Sequence, residues 1–255
     1  MAEAQIIYFH GLPGSADELG LFGADIKSRT DGFHVVARTG SGAGHSAADY
    51  FAQLADDIRH LFPGVPLHLI GFSLGASAAL RTAPHLGAQV HHIDLISAAA
   101  PLDLGDYLGS MAGAPVFRMA AASPLMFGLM TRMQAAMARW LPAQMFRMLF
   151  ATAQGADGAL AESPAFEAAM QQVLRAALNE GSQGYRREIL HYVGDWSALL
   201  AEVDAPVAIF HGEEDNWSPP AMADDLAHKL SRCVQLEKLP GLSHYSALQA
   251  YLSRR

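Results

Sequence analysis

Short apolar runs alternate with amphipathic stretches along this chain, and this alternation is the strongest constraint on its fold. Gln5–His10, Phe33–Ala37, Leu67–Phe72 and His92–Ser97 are apolar runs that each end near Gly, Ser or Ala. Such runs are typical of strands buried on both faces of a parallel sheet. Residues 46–62, between the second and third runs, have a capping-type start and one apolar helical face. This order predicts an α/β sheet with right-handed crossovers.

The alternation is interrupted once and then resumes. From about residue 102 to 196 no strand pattern is found, and Ser123-Pro124 and Ser163-Pro164 each supply an N-cap followed by proline at the first helical position. Pro206–His211 and Cys233–Leu239 are again apolar runs that predict strands. We therefore expect a mostly parallel sheet flanked by helices, built from residues 1–101 and 204–255, with an all-helical insertion at 102–203.

The composition excludes several classes of protein. Hydrophobic residues make up 51% of the 255 positions, so a large core is possible, and a net charge of −8 disfavours a nucleic-acid partner. Cys233 is the only cysteine, which disfavours a thiol-ligated metal site. The N-terminus has no basic n-region, and the longest strongly apolar uncharged run in the middle of the chain, between Arg118 and Arg132, is shorter than the roughly 20 residues that span a bilayer. We expect a cytoplasmic monomer or homodimer without stable membrane association.

A serine lies between two glycines where an apolar run gives way to an alanine-rich one. The stretch Gly71-Phe72-Ser73-Leu74-Gly75 fits G-x-S-x-G, with a predicted strand before it and a predicted helix after it. A sharp strand-to-helix turn is crowded, so glycines let the helix pack closely while the hydroxyl projects above the sheet edge. The alternative is that Gly and Ser only punctuate the end of a strand. The flanking elements favour Ser73 as a nucleophile.

A serine nucleophile needs a base, and the base needs an acid to orient it. Asp215 follows the run that ends at His211, and His244 follows the last predicted strand. Because the carboxyl ends of strands in an open α/β sheet converge on one crevice, these residues can meet Ser73 there. The alternatives for the acid are Glu213, Glu214 and Asp103.

A glycine-rich turn follows the first predicted strand. In His10-Gly11-Leu12-Pro13-Gly14-Ser15, a backbone N–H can face a substrate carbonyl, and we predict an oxyanion hole from the N–H groups of Leu12 and Leu74. His10 is a candidate substrate contact. A turn that only ends the strand is the alternative.

Together these motifs resemble the α/β-hydrolase superfamily. HGLPGS resembles its oxyanion turn, GFSLG its nucleophile elbow, HGEED its acid loop and GLSH its histidine loop, in the family's order. Gly42-x-Gly44-x-Ser46 resembles a further glycine-rich turn, although Thr39 stands where the family commonly has an aspartate. The insertion lies where the family carries its cap. The resemblance implies an esterase-like serine hydrolase with a catalytic triad, without metal or cofactor, and serine at the elbow disfavours dehalogenase and epoxide hydrolase chemistry.

We expect hydrolysis of a carboxylic ester, thioester or lactone of a small, largely apolar acyl substrate. Hydrolysis of a carbon–carbon bond beside a carbonyl and non-catalytic ligand binding remain alternatives. Substrate choice is expected to lie in the insertion, where four methionines on one helical face predict a pocket wall or, alternatively, a face packed on the core. These are Met126, Met130, Met133 and Met137.

The insertion also has an unusual distribution of charge. Between Tyr107 and Phe150 there are four arginines and no acidic residue. Three interpretations are open: solvated charges on helices, attraction of an anionic substrate tail, or transient contact with an anionic membrane surface. The four arginines are Arg118, Arg132, Arg139 and Arg147.

Overall fold

Six strands form the central sheet of the computed structural model, which describes residues 4–38 and 46–255. In chain order they are β1 (Gln5–Phe9), β2 (His34–Val35), β3 (Leu67–Phe72), β4 (Val90–Ile96), β5 (Val207–Gly212) and β6 (Cys233–Leu239). They lie in the order β2-β1-β3-β4-β5-β6, and every pairing is parallel. The predicted α/β sheet is confirmed. The turn predicted at Gly42-x-Gly44, with Thr39 before it, lies outside the described residues.

Helices flank this sheet and fill the segment between β4 and β5. The α-helices of the described chain are α1 (Ala24–Arg29), α2 (Ala47–Leu61), α3 (Leu74–Leu86), α4 (Ala114–Ala122), α5 (Pro124–Trp140), α6 (Pro142–Leu149), α7 (Asp157–Ala161), α8 (Pro164–Arg175), α9 (Ser182–Tyr192), α10 (Pro220–Lys229) and α11 (His244–Ser253). Three short 3-10 turns accompany them, and α8 continues as a π-helical turn, Ala176–Glu180. None of the helices in residues 4–38 and 46–255 has the length and apolar character needed to cross a membrane.

The core is centred on the inner strands. The sheet register pairs Ile7 with Leu69 and Leu69 with Ile93, and all three side chains are fully buried. Their continuous apolar character follows from burial on both faces of the sheet. The strand predicted at Phe33–Ala37 is reduced to the two residues of β2, an edge strand that pairs with a neighbour on one side only.

The direction of strand addition reverses at β1. Because β1 lies between β2 and β3, the segments that follow β1 and β3 leave the same edge of the sheet side by side. A crevice at the carboxyl ends of the strands forms at such a reversal. The turn that starts at His10 and the turn that carries Ser73 therefore lie at this crevice.

Helix α2 begins at its predicted cap. The hydroxyl of Ser46 accepts from the N–H of Asp49 at 3.1 Å and donates to its carboxylate at 2.7 Å. Leu61, the last residue of α2, is 58% exposed although it continues the apolar side of the helix. The residues that α2 buries are Tyr50, Phe51, Leu54, Ala55 and Ile58.

Buried polar contacts join the helical insertion, residues 102–203, to the rest of the chain. Arg38, which follows β2, forms a buried ion pair with Glu188 of α9. The hydroxyl of Tyr192 donates to the carbonyl of Ala100 at 2.7 Å. Within the described insertion no strand is found, as predicted, and Ser123 and Ser163 cap α5 and α8.

Two glycines allow α3 to start directly against the sheet. A Cβ at Gly71 would lie 2.6 Å from the Cα of Ala76. A Cβ at Gly75 would lie 2.5 Å from the carbonyl oxygen of His10 and closer still to that of Phe9. These are backbone atoms, which cannot rotate away as a flexible side chain can. The predicted crowding is confirmed, and its partners are the first turn of α3 and the end of β1.

We expect Gly75→Ala to lower the free energy of unfolding by more than about 2 kcal/mol, because the added methyl forces α3 away from β1. Gly158→Ala is the matched control, since a Cβ at that helical position meets nothing within 4 Å. Denaturant unfolding of both variants measures the difference. Equal stability of the two variants would contradict the close approach.

Candidate functional site

Ser73 lies at the turn between β3 and α3 with a backbone conformation that L-residues rarely adopt. Its φ is 55° and its ψ is −126°, and its N–H donates to the carbonyl of Ile96 at 3.0 Å. A non-glycine residue in this region costs of order 1–3 kcal/mol and persists where the surrounding structure holds it. Ser73 is one of the residues that line a cavity at this turn.

The glycine-rich turn after β1 is held by a buried carboxylate. Glu18 accepts from the N–H of Gly11 at 3.0 Å and 3.1 Å through its two oxygens, and from the hydroxyl of Tyr8 at 2.7 Å. Burial raises the pKa of Glu18 to about 7, although these hydrogen bonds and the charge of Arg38 act in the opposite direction. Sequence reasoning did not identify Glu18, because its partners are recognisable only once β1 and the turn are folded.

Both predicted oxyanion donors border the same cavity as Ser73. Leu12 follows the turn residue that Glu18 holds, and Leu74 is the first residue of α3. The first N–H groups of a helix have no partner inside it, and the helix dipole places positive charge there. The arrangement can therefore stabilise negative charge beside Ser73.

Asp215 and His244 are in direct contact. Nδ1 of His244 lies 2.8 Å from a carboxylate oxygen of Asp215, and both side chains are buried. The other carboxylate oxygen accepts from the N–H groups of Trp217 at 2.8 Å and Ser218 at 2.9 Å. Burial acts to raise the pKa of Asp215, but His244, His211 and these hydrogen bonds lower it overall. The ionised carboxylate of Asp215 is thus suited to hold the imidazole of His244.

The imidazole of His244 lies beside the residue that precedes Ser73. Its ring centre is 4.8 Å from that of Phe72 and 5.6 Å from that of Trp217, on which it stacks at 20°. The hydroxyl of Ser97 donates to the carbonyl of His244 at 3.1 Å. Trp217 also lines the cavity that Ser73 borders. These contacts bring the ends of β3, β4, β5 and β6 together around one ring.

The alternatives for the acid lie elsewhere. Glu213 and Glu214 are exposed. Asp103 accepts from the N–H groups of Trp196 and Ser197 at 3.2–3.3 Å and so caps the 3-10 turn at Ser197–Glu202. Of the four candidates, Asp215 is the one in contact with His244.

His10 does not line the cavity that Ser73 borders. Its side chain is buried, Nδ1 lies 2.8 Å from the carbonyl oxygen of Gly11, and Arg38 contacts both Nδ1 and the His10 carbonyl. Burial, together with the charge of Arg38, lowers the pKa of His10 well below its usual value. His10 therefore supports the turn after β1. It does not lie in the cavity, where it was predicted to contact substrate.

The cavity beside Ser73 has a volume of about 260 Å³ and is mostly apolar. None of the four predicted methionines lines it: Met126 and Met133 are exposed, and Met130 and Met137 are packed on the core. The face of α5 that meets the cavity carries Gln134 instead. The lining residues are Leu12, Pro13, Ser73, Leu74, Ala112, Gly113, Val116, Phe117, Gln134, Met145, Met148, Leu149, Thr152, Leu178, Tyr185, Ile189, Trp217 and Ser218.

A second buried carboxylate supports the histidine. Asp157, the first residue of α7, accepts from the N–H groups of Tyr245 at 3.0 Å and Ser246 at 2.7 Å, and from the Ser246 hydroxyl at 2.6 Å. These residues belong to the first turn of α11, whose first residue is His244. Asp157, a residue of the insertion, therefore holds the first turn of α11, which carries the imidazole of His244. No local pattern around Asp157 indicates this role, because its partners are 88 and 89 residues away in the chain.

One group of side chains in the described residues has the spacing of metal ligands. His68, His92 and Asp94 place one ligand atom each within 4.8 Å of the others. His68 is the second residue of β3, whereas Ser73 follows the end of that strand, so the group lies toward the opposite edge of the sheet. The Asp94 carboxylate already accepts from both imidazoles, Tyr251 and Arg255. It is a satisfied polar cluster remote from the cavity.

We expect Glu18→Gln to change the pH dependence of stability. Because the pKa of Glu18 rises from 4.5 to about 7 on folding, the folded wild type binds this proton more tightly than the unfolded chain. Wild-type stability should therefore fall relative to the variant as pH rises from 4.5 to 7, by about 3 kcal/mol in total. Urea unfolding of both proteins across this range measures the change, and a constant difference would contradict it.

Comparison with known proteins places this geometry in a family. The model of the alpha/beta hydrolase family matches residues 6–251. No curated protein matches the chain. Among solved structures, a putative lipase from Acinetobacter baumannii AYE is 16% identical with a TM-score of 0.65, covering 99% of this chain and 82% of its own. An esterase from Exiguobacterium antarcticum is 19% identical with a TM-score of 0.62, covering 99% and 92%.

An enol-lactonase from Burkholderia xenovorans LB400 is 14% identical with a TM-score of 0.62, covering 99% of this chain and 90% of its own. Identities this low show similarity of fold alone. The family model, in contrast, covers almost the whole chain, from β1 to the last helix, and includes the turns that carry Ser73, Asp215 and His244. The chain belongs to the alpha/beta hydrolase family.

Proposed function

We propose that this protein hydrolyses a carboxylic ester, thioester or lactone of a small, largely apolar substrate through Ser73, His244 and Asp215. The observation that carries the proposal is the buried 2.8 Å contact between Nδ1 of His244 and Asp215, beside the strained turn of Ser73. Because Nδ1 is engaged, Nε2 is the ring atom available to take the serine proton. The proposal requires the Ser73 hydroxyl to reach Nε2, and the packing of Phe72 on the imidazole supports this.

In the proposed acylation step, Oγ of Ser73 bonds to the substrate carbonyl carbon while Nε2 of His244 accepts the hydroxyl proton. The carbonyl oxygen becomes an oxyanion, which the N–H groups of Leu12 and Leu74 stabilise. Collapse breaks the bond to the leaving oxygen or sulfur, which takes the proton from His244. Water then attacks the acyl-enzyme with His244 as base, and the acid and the free serine are released. Asp215 remains ionised and holds the ring throughout.

The cavity favours an apolar acyl group that carries one polar atom. Side chains of α4, α6 and α9 make most of its wall apolar. Gln134 of α5 adds a polar group to this wall. Its side chain hydrogen-bonds Tyr185, but its Oε1 is buried and no described protein group donates to it. A buried acceptor without a partner costs about 1–3 kcal/mol. A substrate hydroxyl or amide N–H would satisfy it.

The triad predicts a steep loss of turnover on substitution. We expect Ser73→Ala to lower kcat for an aryl ester by about 10⁶ and Asp215→Asn by about 10⁴, because the nucleophile is removed in the first and the imidazole loses its orienting charge in the second. Asp103→Asn is the matched control and should change kcat by less than about threefold, since Asp103 contacts only a helical turn. Single-turnover and steady-state assays measure all three.

Three outcomes would contradict this proposal. Labelling of Ser73→Ala by a serine-directed phosphonate, to the extent seen in the wild type, would remove Ser73 as nucleophile. Turnover of a vinylogous diketone without turnover of any ester would assign carbon–carbon bond hydrolysis instead. Tight binding of a small acyl compound without turnover would assign a ligand-binding role.

Gln134 predicts a preference that can be measured separately. Wild-type kcat/KM for the nitrophenyl ester of a hydroxylated medium-chain acid should exceed that for the unsubstituted ester by about tenfold, because the hydroxyl satisfies the buried Oε1. Gln134→Leu should abolish the preference. Gln144→Leu, an exposed position on α6 outside the cavity, should retain it. A preference unchanged in Gln134→Leu would contradict the assignment.

A further inference from the structure

The outward face of α5 is apolar where a helix in contact with water is ordinarily polar. Residues 125, 129, 133 and 140 fall on one side of this helix, and their side chains are exposed by 83%, 58%, 58% and 71%. Phe127 and Ala138, on the opposite side, are fully buried. The helix thus has large apolar side chains on both of its sides, and only one side is covered by the protein.

Helix α6 extends the same surface. Its neighbouring residue Leu141 is 52% exposed and Met148 is 61% exposed. Among the described residues, seven of the nine exposed large hydrophobic side chains lie between positions 125 and 148. Such concentration marks an interaction site, whereas apolar side chains scattered singly do not. We refer to this surface as the apolar face, made of Leu125, Met126, Leu129, Met133, Trp140, Leu141 and Met148.

Positive charge borders the apolar face. Arg132 and Arg139 are exposed along one edge of α5, and Arg147 is exposed on α6. No acidic residue occurs between Tyr107 and Phe150, although the whole chain carries a net charge of −8. The guanidinium of Arg139 lies 4.9 Å from the ring centre of Trp140. The charge of this surface is therefore opposite to that of the molecule and complementary to anionic groups.

The apolar face is continuous with the cavity. Met148 is exposed on this face and also lines the cavity that Ser73 borders, and Met145, one turn earlier on α6, lines it as well. An apolar molecule held against α6 would meet apolar side chains from the outer surface to the cavity wall. The surface and the site thus form one apolar path.

We propose that the apolar face docks reversibly on the surface of an anionic phospholipid bilayer, from which apolar substrate enters the cavity. Docking itself does not depend on catalysis, whereas entry of substrate rests on the proposed function. Leucine and methionine side chains would enter the boundary of the acyl chains, Trp140 would lie at the interface, and the arginines would meet phosphate groups. Of the three interpretations of the arginines, the exposed apolar side chains between them favour the third.

Two other occupants fit the apolar face less well. A second copy of this chain packed symmetrically on it would bring the exposed arginines of both copies together, with no acidic residue in this segment to pair with them. An acidic protein would match the arginines. To cover the seven large apolar side chains, however, such a protein would need a surface of complementary shape. A bilayer needs none, because its acyl chains adapt to the side chains.

The test is flotation of the full chain with vesicles of phosphatidylcholine containing increasing fractions of phosphatidylglycerol. We expect the bound fraction to rise with phosphatidylglycerol and to fall with added salt. Ser73→Ala protein should bind equally well, which separates docking from catalysis. Failure of ester hydrolysis with retained flotation would contradict the proposed function alone.

Matched substitutions identify the surface. Leu125→Glu combined with Leu129→Glu should weaken vesicle binding at least tenfold, because two charged side chains would have to enter the apolar boundary. Leu61→Glu on α2 is the control, since Leu61 is exposed by the same 58% as Leu129 but lies on another helix. The double variant and the Leu61→Glu control should both keep wild-type helicity and wild-type activity on a water-soluble aryl ester.

Several results would overturn the proposal. They are the absence of wild-type binding to any of the vesicles, equal loss of binding in the Leu61→Glu control, and wild-type binding retained by the double variant. Sedimentation showing a wild-type dimer that the double variant lacks would assign the apolar face to a second copy of the chain. A defined acidic protein that binds the wild type, while vesicles do not, would assign it to a protein partner.

Discussion

The first turn of α3 touches the carbonyl oxygens that end β1, and this contact exists because positions 71 and 75 carry no side chain. The close approach holds Ser73 at a φ of 55° and sets the start of α3 beside the turn at Gly11. Strain at one residue is tolerated because the ends of the neighbouring strands, Ile7–Phe9 and Ile93–Ile96, are buried and cannot shift to relieve it. The positions of Ser73 and of the N–H groups of Leu12 and Leu74 thus follow from how closely the end of β1, the end of β3 and the start of α3 approach one another.

Buried carboxylates hold the three turns that surround Ser73 and His244. Glu18 holds the turn after β1, Asp215 holds the N–H groups that follow it in its own loop, and Asp157 holds the start of α11. Burial raises the pKa of Glu18 and of Asp157, whereas for Asp215 the neighbouring imidazoles reverse that effect. Of these three carboxylates, Asp215 is the one whose pKa lies below its ordinary value. The same chemical group serves as structural acceptor at two turns and as partner of an imidazole at the third.

Local patterns predicted the strands, the caps at Ser46, Ser123 and Ser163 and the contact between Asp215 and His244, because each depends on a short stretch or on strand order. Periodicity could not say which side of α5 meets the cavity. The methionine face was predicted either to form the pocket wall or to pack on the core. Met130 and Met137 pack on the core, and Gln134 is the residue of α5 that lines the cavity. The roles of Glu18 and Asp157 could not be predicted, because an isolated acidic residue in a sequence does not indicate which distant N–H groups it will accept hydrogen bonds from.

The polar contacts between the insertion and the sheet also limit how such a protein can be recombined. Glu188 neutralises Arg38 beneath the surface, and Asp157 closes the helix that bears His244. A chimaera whose residues 102–203 come from a family member without these two carboxylates would bury the Arg38 guanidinium without a charge partner. It would also leave the N–H groups of Tyr245 and Ser246 without acceptors. Transplants of the whole segment must therefore bring both carboxylates with them, or exchange only α4 to α6.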